Sequence, residues 1–479
     1  MKRILYSIFL LLSITSAFSQ SLCLSPGFGS GMVLQRDSMA NIWGWAIKGK
    51  TVRIKTSWSD SLYSAKVGEN CRWNMKLKTC HASFTPQTIC VSCGKDTILL
   101  NDILIGDVWI VGGQSNMQMD FRGNPDQPVQ NAQNILLGCN RNGIRLFRVR
   151  NGYSLSYNDS MKINGVWTYS SPEEVKDFSV IGYVFGRSIF DLVQIPIGLV
   201  EIAHGGSTAE AWLDHRTLEK FGEFDLNINP QKVDPIWYCN LPGVLYNKML
   251  APLLPYSVKG VIFYQGEANV ERPQQYARLF PLLIRSWRKY FDNERLPFFY
   301  TQIAPYEYDK GDAALLREAQ LNIMDSMPGI GMAVTLDVGE KNIIHPSQKE
   351  IVGQRLAYWA LNKVYGHHAF GCRGPEFKTM EVKDGHAFLK FNYAPNGLSF
   401  YGKDPTGFEV AGDDRIFHPA KARITPAFWG NEGLEVWSDD VRNPVAVRYC
   451  FKNWSKGCLY NTEGLPASSF RTDNWDTKH

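Results

Sequence analysis

Ser115 follows the short apolar run Val108-Trp109-Ile110-Val111 and two glycines, Gly112 and Gly113. Such a run reads as a buried strand breaking into a tight turn, which leaves the hydroxyl at the strand's carboxyl edge. In an open α/β sheet that edge is the rim of the ligand crevice, and glycine lets backbone amides approach a bound group closely. A serine there is either a nucleophile or the cap of the next helix, and this stretch alone favours the cap. Three other polar features also follow predicted strands. Gly205-Gly206 comes after Ile195 to Ile202, Gln265-Gly266-Glu267 after Val258 to Tyr264, and His345, by a longer loop, after Gly331 to Asp337. One sheet would carry all four to a single rim, which moves the balance to the nucleophile.

A serine hydroxyl attacks poorly until a hydrogen-bonded imidazole accepts its proton, and the same imidazole then protonates the departing alcohol. His345 is the candidate base. The developing oxyanion needs donors set in advance, for which the amides of Ser115 and of Gly205 or Gly206, with the Gln265 carboxamide, are suited. His204 beside the glycines lines the pocket or holds a turn. Glu267 is a general base or the partner of an arginine behind the site, and the second role is favoured. His215, His386 and His418 have no partner in sequence and read as surface or satisfied core groups. No histidine clusters with carboxylates at metal-ligand spacing, so neither metal nor other cofactor is expected.

The elements that must position these groups alternate. An apolar stripe of Ile181, Val184, Phe185, Ile189 and Leu192 marks a helix from Ser179 to Gln194; another of Tyr276, Leu279, Phe280, Leu283 and Trp287 marks a second. Strands are expected at Ile144 to Val149 and Pro297 to Ile303, and a helix at Ala313 to Met324. Ser347-Gln348-Lys349-Glu350 reads as a capping box opening a helix with Val352, Leu356 and Trp359 inward. Strand and helix alternation implies an α/β fold with a doubly wound parallel sheet covered on both faces. Before it, residues 20–102 are short alternating runs typical of a small β-sandwich, with Trp43, Trp45 and Trp73 at strand spacing as core. After it, residues 374–479 return to short strands, leaving 103–373 as the central domain.

Residues 1–19 have the charged, apolar and small-residue zones of an export signal, so a periplasmic or extracellular protein is expected. No stretch is long enough to span a membrane. The formal charge of +5 falls to +3 when Lys2 and Arg3 leave, and no basic run appears, which argues against a nucleic-acid partner. With 44% hydrophobic residues the chain has ample material for packed cores. Ten cysteines in an exported chain admit disulfides, and Cys71 to Cys80, Cys90 to Cys93 and Cys450 to Cys458 would close small loops. Cys90 and Cys93 near Cys71, Cys80 and His81 also admit zinc, a reading ranked below structural cysteine because a second well-spaced pair is missing.

Four ordered motifs carry a resemblance: Gly113-Gln114-Ser115-Asn116-Met117; Gly205-Gly206 with Ala209-Glu210-Ala211-Trp212; Tyr264-Gln265-Gly266-Glu267-Ala268-Asn269; and Ile344-His345-Pro346 with Lys349 and Arg355-Leu356-Ala357. With Phe408-Glu409-Val410 and Gly464-Leu465-Pro466-Ala467-Ser468, the chain resembles the sialate O-acetylesterase family within the SGNH hydrolase superfamily. That resemblance implies an SGNH-type, flavodoxin-like central domain and removal of O-acetyl groups from sialic acids or other glycans, without cofactor. It makes Ser115 the nucleophile, His345 the base and Gln265 an oxyanion-hole donor. Gln114, Asn116, Glu267 and Trp212 are then expected in the pocket or just behind it. Similar esterases carry Asp three residues before the histidine, where this chain has Asn342. Asp337 is the candidate substitute; otherwise a backbone carbonyl orients the imidazole in a working dyad. An anionic sialic acid would need a cation, for which Arg317 is the candidate. The same machinery also fits a hemicellulose acetylesterase, and the missing Asp fits a carbohydrate-binding protein whose site has decayed.

Overall fold

The computed structural model describes residues 21–156, 163–425 and 433–475, so the leader-like residues 1–19 lie outside the described residues. The molecule is built on one strand, β1 (Asp96–Gly113), which is 18 residues long. Its first half pairs antiparallel with Ser83–Cys93 and parallel with Val33–Gln35. Its second half, buried from Ile103 onward, lies between two parallel neighbours. A strand buried on both faces reads as an unbroken apolar run, and Ile103 to Val111 is nearly one. Asp102, with φ of 54°, sits at an irregularity in the pairing with Ser83–Cys93, which resumes at Ile103 and Ile105, so the boundary expected between 102 and 103 falls inside a continuous strand. The N-terminal strands and the central sheet also share one hydrophobic core, which includes Trp43, Trp73 and Trp109.

The central sheet adds β2 (Arg141–Arg148), β3 (Trp167–Ser170), β4 (Ile197–Ala203), β5 (Gly260–Tyr264), β6 (Phe298–Thr301) and β7 (Ile330–Ala333). Their order is β3-β2-β4-β1-β5-β6-β7, parallel except for β3 at the edge. The flavodoxin-like order would set the first two strands side by side, whereas here β4 lies between β1 and β2. This is a large mixed sheet of its own order, and its winding reverses at β1, the kind of point at which open α/β sheets bind ligands.

Helices cover both faces. Phe299 of β6 stacks near Trp109 and near Trp359 of α5 (Lys349–Lys363), while its neighbour Phe298 meets Phe263, Phe280 and Trp287. Adjacent strand residues face opposite ways, so α3 (Pro273–Tyr290), which carries Phe280 and Trp287, covers one face. On the other, α5 packs with α2 (Val180–Val193), whose Phe185 meets Trp109 edge-on. α4 (Ala313–Ile323) packs on α3. The described residues beyond 374 form two four-stranded antiparallel sheets and one two-stranded pair around a core of their own, into which Leu336 reaches from the central domain. Among the described residues no helix is long and apolar enough to cross a membrane. The ten cysteines are all free thiols, so none of the expected small loops is closed, and the described residues hold no group of three or more metal-ligating side chains.

Candidate active site

Strand register sets the site. Gly113 of β1 pairs with Ala203 on one side and Tyr264 on the other, so the three strand ends finish in one row. The next residues, Gln114-Ser115, His204-Gly205-Gly206 and Gln265-Gly266-Glu267, therefore leave the sheet together. Gly113 is required there: φ is 135° and a Cβ would lie 2.1 Å from the Tyr264 carbonyl. The chain then enters α1 (Ser115–Gln118), a single turn with Ser115 half-exposed at its start. Gly205 faces it, since a Cβ on that glycine would sit 3.6 Å from the Ser115 Cβ.

His345 reaches the same place by its loop. Asn116, directly after Ser115, donates from Nδ2 to the carbonyl of Ile344, directly before His345, at 3.0 Å. The loop is fixed further by Glu340, whose Oε1 accepts from the Ser347 amide at 3.0 Å and its hydroxyl at 2.7 Å. Ser347 thus does not cap α5; Gln348 takes that position without a side-chain bond, and Glu350 bonds Asn131 and Arg187. Burial, with help from the Lys349 ammonium, pulls His345 down to about 4, so the imidazole is neutral at pH 7.

The third member is not the one expected. Asp337 is held by both terminal nitrogens of Arg355 at 2.7 Å and accepts from the Tyr460 hydroxyl at 3.3 Å. It has no bond to His345. A bidentate arginine satisfies the carboxylate where it stands, at the junction with the C-terminal domain. Asn342 is exposed and makes no bond to the imidazole either. Nδ1 of His345 instead meets Oε1 of Gln127, from the loop after α1. With that carbonyl oxygen as acceptor, Nδ1 carries the proton and Nε2 presents its lone pair. The Gln130 amide bonds the Ser347 carbonyl at 3.0 Å and ties the two loops together. Gln127 lies in a polar loop with no periodicity, and nothing in the sequence distinguishes it.

Two of the four expected oxyanion donors are already engaged. The Gly205 amide donates to Oε1 of Gln118 at 2.8 Å. Nε2 of Gln265 donates to the Ser207 carbonyl at 3.2 Å and to Oδ1 of Asn269 at 2.6 Å. Among the described residues no acceptor meets the amides of Ser115 and Gly206, which leaves these two open for a ligand oxygen. Gly206, at φ of 72°, holds the turn that leaves its amide free.

Behind Ser115 lies a buried charged group. Asn116 donates to Oε1 of Glu267 at 2.5 Å and accepts from the ammonium of Lys349. Burial pushes Glu267 up and Lys349 down to about 7, each effect partly offset by the attraction between them. The expected arginine partner of Glu267 is therefore a lysine acting across an asparagine. Lys349 shares the inward stripe of α5 with Val352, Leu356 and Trp359, and a lysine on an apolar stripe is a visible signal. Oε1 of Gln114 accepts from the amides of Gly266 and Ala268 at 3.1 and 3.4 Å and so joins two strand ends. Trp212 is fully buried and does not line the pocket; its ring nitrogen donates to the Ser207 hydroxyl at 3.1 Å and braces the glycine turn. His204 holds that turn through a 3.0 Å contact with the Gly205 carbonyl. Arg317 is not a site cation. It is buried, bonded to Ser469 and to the carbonyls of Cys450 and Lys452, and ties α4 to the C-terminal domain.

A family model described as carbohydrate esterase, sialic acid-specific acetylesterase, matches residues 105–362. The sialate O-acetylesterases of Rattus norvegicus and Homo sapiens are each 27% identical, over 92% of this chain and 92% and 90% of theirs. A crystal structure of a carbohydrate acetylesterase from Xanthomonas citri superposes with a TM-score of 0.83 at 32% identity, over 95% of this chain and all of that one. The family match, read with a serine and a histidine carried to one sheet rim, has one conclusion: the chain belongs to the sialic acid-specific acetylesterase family of carbohydrate esterases.

Proposed function

We propose that the chain is an exported serine O-acetylesterase that removes O-acetyl groups from sialic acids or from glycans bearing them. The observation that carries this reading is the Asn116 bond to Ile344, which couples the residue after the serine to the residue before the histidine. Ser115 Oγ attacks the acetyl carbonyl while Nε2 of His345 takes its proton. The oxyanion is held by the open amides of Ser115 and Gly206. The imidazolium then protonates the departing sugar oxygen, and a water deprotonated by His345 frees acetate from Ser115. Gln127 keeps Nε2 aimed and, being neutral, does not assist charge on the ring.

Sialic acid is favoured by the family and by Arg150. That guanidinium lines a cleft with Asn151, whose Oδ1 accepts from Gln118 at 2.7 Å beside the glycine turn, and no carboxylate among the described residues pairs with it. The same cleft carries Glu174 and Asp177, which disfavour an anionic sugar and keep a neutral acetylated polysaccharide as the second reading. Acetate release from O-acetylated sialoglycan and from acetylated xylan decides between them. Arg150→Ala should slow only the first. Hydrolysis of a chromogenic acetate ester should vanish in Ser115→Ala and His345→Ala; equal rates in all three proteins would refute the esterase and leave a binding protein. The leader-like residues 1–19 support export.

A further inference from the structure

Beside the glycine turn lies a short 3-10 helix, Pro235–Asn240, started by Asp234, whose Oδ1 accepts from the Ile236 amide at 3.0 Å. It is fastened to the turn at two points. The Cys239 sulfur is 3.8 Å from where a Gly206 Cβ would be, and the Asn240 carbonyl accepts from the Thr208 hydroxyl at 3.1 Å. In a 3-10 helix, residues three apart eclipse one another. Ile236 therefore stands one turn above Cys239, on the side that meets the Gly206 turn, and Trp237 follows it in the next row, one turn above Asn240. Tyr238, on the third row, turns away to meet Tyr153 edge-on at 5.1 Å.

Ile236 is 70% exposed and Trp237 56%. The helix around them is anchored, so their exposure is not the fraying of a loose end. Two adjacent large apolar side chains held in water beside an open backbone amide are costly unless something covers them. The occupant must reach the Gly206 amide and also present an apolar face. A pyranose ring does both: its hydroxyls and their esters project from the edge while its C–H bonds form a flat apolar surface that an indole covers well.

We propose that Ile236 and Trp237 form the apolar wall of the substrate cleft, against which the C–H face of the acetylated sugar packs while its ester enters the Ser115 site. This rests on the esterase reading above. The wall acts on binding and not on bond breaking, so it separates sugar esters from small esters that have no ring to place against it.

The test uses the full chain and two substrates, an O-acetylated oligosaccharide and a small alkyl acetate such as ethyl acetate, which has no ring. Trp237→Ala should raise KM for the oligosaccharide about tenfold with little change in kcat, and leave the alkyl acetate unaffected. Trp237→Phe should recover most of the loss. An unchanged oligosaccharide KM, or equal losses on both substrates, overturns the wall. So does an oligosaccharide KM that stays put in Ile236→Asp while sedimentation shows a wild-type dimer falling apart, because the patch then joins two copies of the chain. Alkyl acetate hydrolysis by the wild type reads the esterase itself, and calorimetric binding of the oligosaccharide to Ser115→Ala with and without Trp237→Ala reads the wall independently. Binding equally tight in both proteins overturns it.

Discussion

Two shielded carboxylates flank the elements that carry His345, and they are opposites. Asp337 has side-chain exposure of 8% against 9% for Arg355, which holds both its oxygens, and Tyr460 adds a third donor from the C-terminal domain. Glu267 is also buried, yet it has one 2.5 Å bond, to a neutral asparagine, and its Oε2 meets no hydrogen-bond donor. A carboxylate satisfied at every oxygen belongs to the framework. One left partly unsatisfied directly behind Ser115 is the kind of group that marks a functional site. The difference assigns Asp337 to stability and Glu267 to the placement of Asn116, and through it of Ser115 and His345.

The largest effect should come from breaking the satisfied pair. Asp337→Ala strands a buried guanidinium, which typically costs about 3–5 kcal/mol. Urea denaturation should show that loss, while kcat measured on the folded fraction stays near wild type. A large fall in kcat without loss of stability would restore Asp337 to the catalytic group. Glu267→Gln should do the reverse. Stability changes less, because Lys349, already brought down to about 7, can shed its proton when its counter-charge goes, but kcat should fall roughly 10- to 100-fold, about 1.4–2.7 kcal/mol, as Asn116 loses its anionic partner. Equal kcat in the two proteins would reduce the Glu267 group to packing.

This contrast also explains what the sequence can and cannot express. The apolar run before Gly112, the period-three-and-four stripes of α2 and α3, and the recurrence of polar groups after strands are local patterns, and each became the element expected. Pairing partners are not local. Asp337 lies close to His345 in sequence, but Arg355 comes around on α5 and takes it. Gln265 sits where a donor is wanted, but Asn269, four residues on, captures its amide. Strand order is likewise set by which crossovers pack, not by any strand's own text, so the place of β4 between β1 and β2 was not legible. Gln127 is the clearest case: a half-exposed loop glutamine whose role exists only because the loop meets His345.

Gln127 supplies the next test. Gln127→Ala frees the imidazole to turn or to switch tautomer, and loss of one orienting bond should lower kcat about tenfold. Gln127→Glu should keep the orientation but place a negative charge on Nδ1, favouring the imidazolium and moving the acid limb of the pH–kcat/KM profile upward. If neither variant alters the profile, the imidazole is held by its burial alone.

The smallest effect is a shift of that same limb, and its sign follows from the other buried partner of Asn116. His345 works as a base only when neutral, so activity should persist as pH falls until it nears the value of about 4 to which burial and Lys349 bring the ring. Removing the ammonium in Lys349→Met takes away the repulsion that opposes a second positive charge, so the limb must move up. It should stop short of the ordinary histidine value near 6.5, because burial, the larger cause, is untouched. Near pH 8, Lys349, itself brought down to about 7, is mostly neutral already, and wild type and variant should differ least there in this respect. A limb that moves down, or a difference between the two proteins that grows towards alkaline pH, would mean that Lys349 acts on the histidine through the position of Asn116 and not through its charge.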